Sequence, residues 1–209
     1  MVKFNIANWE ERLKPFEHLG YSHSETLNNF GYSYLPTKYL NISEFITNEA
    51  SKRDFLYQIT EQSGNYYRLL AHMSSCLPDG AIVFDVGTYL GTSALALSYN
   101  QHVSVISYDV ANYRSAIKPE NVTFKIGNFL EDADLLNAAM MFIDVDPHDG
   151  HQETVFLKHL IKVGYKGILL FDDIHLNQGM EMFWRECLSY GAKDLTSLGH
   201  ATGTGMLIL

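Results

Sequence analysis

The chain has 209 residues, of which 46% are hydrophobic and 19% charged, with 24 acidic against 15 basic side chains and a formal charge of −9. This balance excludes a disordered chain and argues against nucleic acid, whose phosphates are held by clustered Lys and Arg. No apolar run approaches the roughly 20 residues that span a bilayer, so the expectation is a cytoplasmic, soluble globular fold acting on a small molecule or a neutral glycan.

Residues 1–47 are rich in Tyr, Asn, Ser, Phe and His and turn-prone at their centre, which predicts an irregular cap with short helices. Tyr21, His23, Tyr32 and Tyr34 of this cap could stack on a sugar ring or cover the sheet. From Asn48 to Leu77 two helical stretches are predicted, broken near Ser63 to Asn65. The second, "YYRLLAHMSSCL", repeats apolar residues at helical spacing and stops at "PDG", Pro78 to Gly80. The two cysteines, Cys76 and Cys187, lie far apart in helical segments and read as small buried residues rather than as a disulfide or zinc ligands.

Beyond Gly80 short apolar runs alternate with helical segments: "AIVFDVG", "VSVISYDV", "VTFKIG", "MMFIDVD", "GILLFDD", "AKDLTSL" and "GMLIL". Runs that are apolar on both alternations belong to strands covered on both faces, which predicts an α/β, Rossmann-like, doubly wound, mainly parallel sheet. The last two runs are joined by "GHATGT", too short for a crossover helix, and should pair antiparallel. His159, Phe183 and Trp184 read as structural helix residues.

In such a sheet the first strand-to-helix turn cradles the ligand. Here that turn is "FDVGTYLG". Aligning the central glycine of a nicotinamide-type G-x-G-x-x-G fingerprint on Gly87 puts Asp85 and Leu90 at the other two glycine positions. Asp85 would repel a pyrophosphate in a partly desolvated turn, yet attract an ammonium or a sulfonium. S-adenosylmethionine carries both and lacks phosphate. Asp109 ends the second strand near the offset at which an acid meets a ribose diol. Gly127, Asn128 and Phe129 follow the third strand and could border an adenine.

Together "VFDVGTYLGTSALAL", "YD" and "GNFLED" resemble the cofactor motifs of class I S-adenosylmethionine-dependent methyltransferases, over Asn48 to Leu209. The resemblance implies seven strands with the last antiparallel. It also implies cofactor contacts from Asp85, Gly87, Thr88, Tyr89, Gly91, Ser93, Asp109, Gly127, Asn128, Phe129 and Asp144, with Asp85 facing the methionine ammonium directly or through water.

Carboxylates gather at two further strand ends. "MMFIDVDPHDGHQE" carries Asp144, Asp146, His148, Asp149 and His151, and "GILLFDDIH" carries Asp172, Asp173 and His175. Neighbouring strands would bring these acids together, which requires a proton or a cation, and Mg²⁺ suits a few carboxylates completed by water and substrate oxygens. "FID" and "FDD" resemble the metal-ligand positions of metal-dependent O-methyltransferases, which implies Asp144, Asp172 and Asp173 as ligands. Catechol enzymes of that group place a lysine where this chain has Pro147. The sugar-modifying branch shows a D-x-D pattern matched by "DVD", with Asp146 as general base and His148 as its rival. The resemblance therefore points to methyl transfer onto a sugar hydroxyl of a glycan or glycosylated metabolite, with a catechol or phenol as the alternative acceptor. A homodimer is left open.

Overall fold

The computed structural model describes residues 66–89, 91–98, 100–112, 119–196, 199 and 202–209. The N-terminal cap, with Tyr21, His23, Tyr32 and Tyr34, and the first expected helical stretch lie outside these residues. In chain order the elements are α1 (Tyr66–Ser75), β1 (Ile82–Val86), α2 (Thr92–Leu97), β2 (Ser104–Asp109) and β3 (Val122–Ile126), then β4 (Ala138–Ile143), α3 (His151–Val163), β5 (Ile168–Asp172), α4 (Gln178–Ser189), β6 (Lys193–Asp194) and β7 (Thr204–Ile208). Two 3₁₀ turns, Phe129–Glu131 and Leu135–Asn137, link β3 to β4.

The seven strands form one sheet in the order β3-β2-β1-β4-β5-β7-β6. Strands β1 to β5 pair in parallel, and β7 runs antiparallel to both β5 and β6, as the short link before "GMLIL" predicts. The order reverses between β1 and β4. Ligands of doubly wound sheets bind at such a point, beyond the carboxyl ends of the strands.

Strand alternation splits the core into two layers. Val83, Val105, Met140, Phe142, Ile168 and Leu170 point to one face and pack with Leu69, Leu70 and Met73 of α1 and Ala94, Ala96 and Leu97 of α2. Phe84, Ile106, Met141, Ile143, Leu169 and Phe171 point to the other and meet Leu157 and Leu160 of α3 and Met180, Phe183, Trp184 and Cys187 of α4. The continuous apolar runs of β4 and β5 thus come from burial on both sides. Cys76 is half-buried rather than buried as expected; burial pushes the Cys187 thiol up to about 12, so it behaves as an inert core residue. Phe183 and Trp184 are core, as expected. Among the described residues no helix is long and apolar enough to cross a membrane.

Candidate functional site

The loops after β1, β2, β4 and β5 converge at the carboxyl edge of the sheet. At the first, Gly87 and Thr88 donate their amides to the Tyr108 carbonyl at 2.9 and 3.1 Å, which draws the turn over the end of β2. Gly87 has φ +88, and a Cβ there would lie 1.6 Å from the Asp144 carbonyl oxygen. The β1 turn and the end of β4 are therefore in backbone contact, which only glycine permits.

Asp85, inside this turn, is fully buried. The Ser107 hydroxyl donates to its Oδ2 at 2.6 Å, but Oδ1 has no hydrogen-bond partner, and neither has the buried Thr88 Oγ1. Burial raises the Asp85 carboxyl above its ordinary range, against the opposing hydrogen bond from Ser107. An ionised carboxylate held in this way is a standing cost that a nearby cationic group would offset.

Asp109 lies at the rim of the same turn. Its Oδ2 accepts from the Tyr89 amide at 2.8 Å and its Oδ1 from the Val110 amide at 2.7 Å, so the carboxylate is oriented by backbone and half-buried. Ser93 and Gly91 are buried at the start of α2. Gly127 and Asn128 are exposed beyond β3, and Asn128 caps the following 3₁₀ turn by accepting from the Leu130 amide. Phe129 stands apart from them. It is 2% exposed, and its ring packs against Tyr108 and, edge-on, Phe156.

A second group forms between the loops after β4 and β5. Asp144, His148 and Asp173 each offer one donor atom, and these atoms lie within 4.8 Å of one another. His148 Nδ1 is 3.9 Å from Asp144 Oδ1 and 3.4 Å from Asp173 Oδ2, while its Nε2 is 3.3 Å from Asp146 Oδ1. Asp146 itself is almost fully exposed. The ligand set implied by resemblance, Asp144, Asp172 and Asp173, is thus not the one brought together. Asp172 is the last residue of β5, in register with Thr204 of β7 and buried, whereas Asp173 has left the strand at φ 58 and turns toward the cluster. Alternation along an extended backbone separates the two neighbours.

Tyr89, His148 and Asp173 all have positive φ, at 45°, 52° and 58°, one in each of the loops after β1, β4 and β5. Non-glycine residues hold this conformation at a cost of about 1 kcal/mol or more, so the surrounding structure must impose it. Part of that constraint is visible. Gly150 and Gly179 face each other so closely that a Cβ on Gly150 would meet the Gly179 carbonyl oxygen at 2.3 Å, which locks the His148 loop against the start of α4. Asn177 completes the lock: its Oδ1 accepts from the amides of Gly179 and Met180, and its Nδ2 donates to the His148 carbonyl at 2.7 Å. Asn177→Ala is expected to cost about 1–2 kcal/mol, the worth of an N-cap, and to loosen His148. Urea unfolding checks the first and the proton spectrum of the imidazole the second.

Three further residues carry the site without having been singled out from sequence. Thr202 donates its hydroxyl to Asp173 Oδ1 from the loop before β7. Glu153, in the first turn of α3, is 2% exposed with Oε2 unpartnered. Burial pushes its carboxyl up, while its own backbone amide and the charge of His148 oppose the rise. Asn177 is the third, and "LNQGM" carried its signal, an Asx residue just ahead of an apolar-periodic run.

His175 points away from the cluster. Its Nδ1 is 2.8 Å from Glu181 of α4 and its Nε2 2.8 Å from Asp194 of β6. Burial pulls the imidazole down, but the hydrogen bonds to Asp194 and Glu181 outweigh it and the net shift is upward. A raised folded value means that this contribution to stability is complete below the unfolded value of about 6.5 and is lost as pH rises through the folded one. Urea midpoints of the native chain and of His175→Gln should accordingly converge at alkaline pH and separate at mildly acidic pH. His159 is half-buried on α3 and His151 is exposed at its start.

No family model matches the chain, and no curated protein matches it in sequence. Among solved structures, a candidate caffeoyl-CoA O-methyltransferase of Staphylococcus aureus is 13% identical at a TM-score of 0.48, covering 97% of this chain and 99% of its own. An S-adenosylmethionine-dependent O-methyltransferase of Thermotoga maritima is 13% identical at 0.46, covering 61% and 51%. A fibrillarin of Aeropyrum pernix with bound S-adenosylmethionine is 13% identical at 0.44, covering 69% and 76%. Likeness this distant does not bear on substrate or chemistry, for which the residues of the site itself must speak.

Proposed function

We propose that the chain is an S-adenosylmethionine-dependent O-methyltransferase that methylates a hydroxyl of a sugar, on a glycan or a glycosylated metabolite, with the help of a divalent cation. One observation carries the reading: a fully buried acid, Asp85, with an unpartnered oxygen, lies under a glycine turn whose rim holds a second acid, Asp109. Such a turn disfavours a pyrophosphate and favours a ligand with a cationic end and a diol.

When bound, S-adenosylmethionine supplies an electrophilic methyl group on a sulfonium sulfur. Asp85, braced by Ser107, sets negative potential beneath the turn. Gly87 and Gly91, both at positive φ, shape the turn, with Gly87 seated on the backbone of Asp144. Asp109 retains lone-pair capacity beyond that used by the amides of Tyr89, Val110 and Ala111, and this can accept from a ribose diol. Tyr89, Ser93, Gly127, Asn128 and Asp144 complete the rim.

On the acceptor side a divalent cation, which the donor atoms of Asp144, His148 and Asp173 could hold, would supply Lewis acidity to the acceptor hydroxyl. The chain's own part is to hold the acceptor in line with the methyl group, which is where most of the rate of such transfers originates. In the transfer the acceptor oxygen forms the new C–O bond, the S–C bond breaks, and the hydroxyl proton passes to Asp146, whose exposed carboxylate stands at the rim of the cluster. A catechol or phenol is the second acceptor class. Pro147 stands where a lysine base would serve it, which favours the sugar.

Calorimetry should show binding of S-adenosylhomocysteine and none of NAD. Asp109→Ala should weaken binding by about 1.5–3 kcal/mol, the worth of hydrogen bonds to a charged group. Unchanged affinity removes Asp109 from the ribose site. A screen of glycosides with adjacent free hydroxyls against simple catechols tests the acceptor, and methylation of catechols alone replaces the sugar.

A further inference from the structure

The donor set between β4 and β5 differs from the all-carboxylate one that the resemblance implies, and the difference is chemical. His148 places a ring nitrogen, Nδ1, between Asp144 Oδ1 and Asp173 Oδ2, at 3.9 and 3.4 Å. Donors around one ion at metal–ligand distances near 2.1 Å stand about 3–3.5 Å apart when adjacent, so a small contraction brings these atoms onto a common centre. The other ring nitrogen, Nε2, faces Asp146 Oδ1 at 3.3 Å. A carboxylate on the far side of a ligating imidazole is the arrangement that fixes the ring and directs its free lone pair at a metal.

A second feature points the same way. Glu153 is a buried carboxylate with an unpartnered oxygen, close enough to His148 for the two to interact electrostatically. Asp144, Asp146 and Asp173 place three acids around one imidazole, a density of negative charge that calls for a multivalent cation. Imidazole nitrogen favours first-row transition ions, whereas Mg²⁺ prefers oxygen donors throughout.

We infer that Asp144, His148 and Asp173 form a transition-metal site, selective for ions such as Co²⁺, Mn²⁺ or Zn²⁺ over Mg²⁺, with His148 Nδ1 as the selecting ligand and Asp146 holding its ring. This deepens the metal part of the function proposed above and replaces both Asp172 as a ligand and Mg²⁺ as the ion.

The test uses the full chain stripped with EDTA, titrated with Co²⁺ and followed by visible absorption and calorimetry, with Mg²⁺ as competitor. The expected result is one Co²⁺ per chain, with ligand-field bands that a hundredfold excess of Mg²⁺ leaves in place. His148→Asn, chosen because asparagine tolerates a positive φ, should weaken Co²⁺ by about 100-fold, shift the bands and change Mg²⁺ affinity by less than about threefold. Asp146→Asn should weaken Co²⁺ by about tenfold. Mg²⁺ that displaces Co²⁺ at equal concentration overturns the inference, even if the variants do not fold. So do unchanged bands in a folded His148→Asn. Binding of S-adenosylhomocysteine is measured on the same samples. Cofactor binding without metal selectivity sinks this inference alone, whereas Co²⁺ bound as expected without cofactor binding supports the site and sinks the methyltransferase reading.

Discussion

Asp146→Asn is expected to lower methyl transfer by about 10²–10⁴-fold, the usual worth of a general base. The side chain is almost wholly exposed, so its replacement should move the unfolding free energy by no more than about 0.5 kcal/mol. Cofactor affinity should be untouched, because Asp85 and Asp109 stand at other strand ends. Single-turnover rates at saturating metal separate the chemical step from the modest loss of metal affinity that follows when His148 loses its far-side carboxylate. Full turnover by the variant under those conditions would remove Asp146 from the proton transfer.

Gly87→Ala should be the most damaging single methyl group in the described fold. Two costs combine: a positive φ that an L side chain resists, and a Cβ driven into the Asp144 carbonyl at 1.6 Å, where only backbone can yield. Together they amount to about 3–5 kcal/mol, enough to unfold a marginal domain. Gly80→Ala is the matched control, since Gly80 has φ +79 with nothing within 4 Å of its added Cβ, and it should cost about 1–2 kcal/mol. Urea midpoints compare the two, and equal losses would mean that conformation alone, rather than the contact between β1 and β4, sets the price.

The sheet was readable because β4 and β5 are unbroken apolar runs and the link before "GMLIL" is too short to cross over. Those features follow from local physics, burial on both faces and loop length, and the structure reproduces them strand for strand. The site was readable only as strand-end chemistry. Which of Asp172 and Asp173 enters the cluster depends on where β5 stops, and the pair of letters is silent on that; Phe171 in one core layer places Asp172 toward the opposite face. The setting of the Phe129 ring is hidden for a similar reason. Its neighbours Gly127 and Asn128 are exposed, but the ring folds back onto Tyr108 and Phe156, a long-range contact that no spacing shows. The position of His148 among three acids is equally hidden in the sequence, because it is set by the approach of Gly150 to Gly179 and by Asn177 at the start of α4.

The place of β7 has a consequence for synthesis. It is the last of the seven strands in sequence, yet it lies between β5 and β6 and supplies β6 with its strand pairing. A chain emerging from the ribosome can align β1 to β5 as each appears, but the far side of β5 stays an open edge until residue 208 has been made. During that interval Leu169, Leu170 and Phe171 border unpaired backbone, an invitation to mispairing with another nascent chain. Thr202, the hydroxyl donor to Asp173, lies just ahead of β7, so the cluster of Asp144, His148 and Asp173 gains this hydrogen bond only in the late step that closes the sheet.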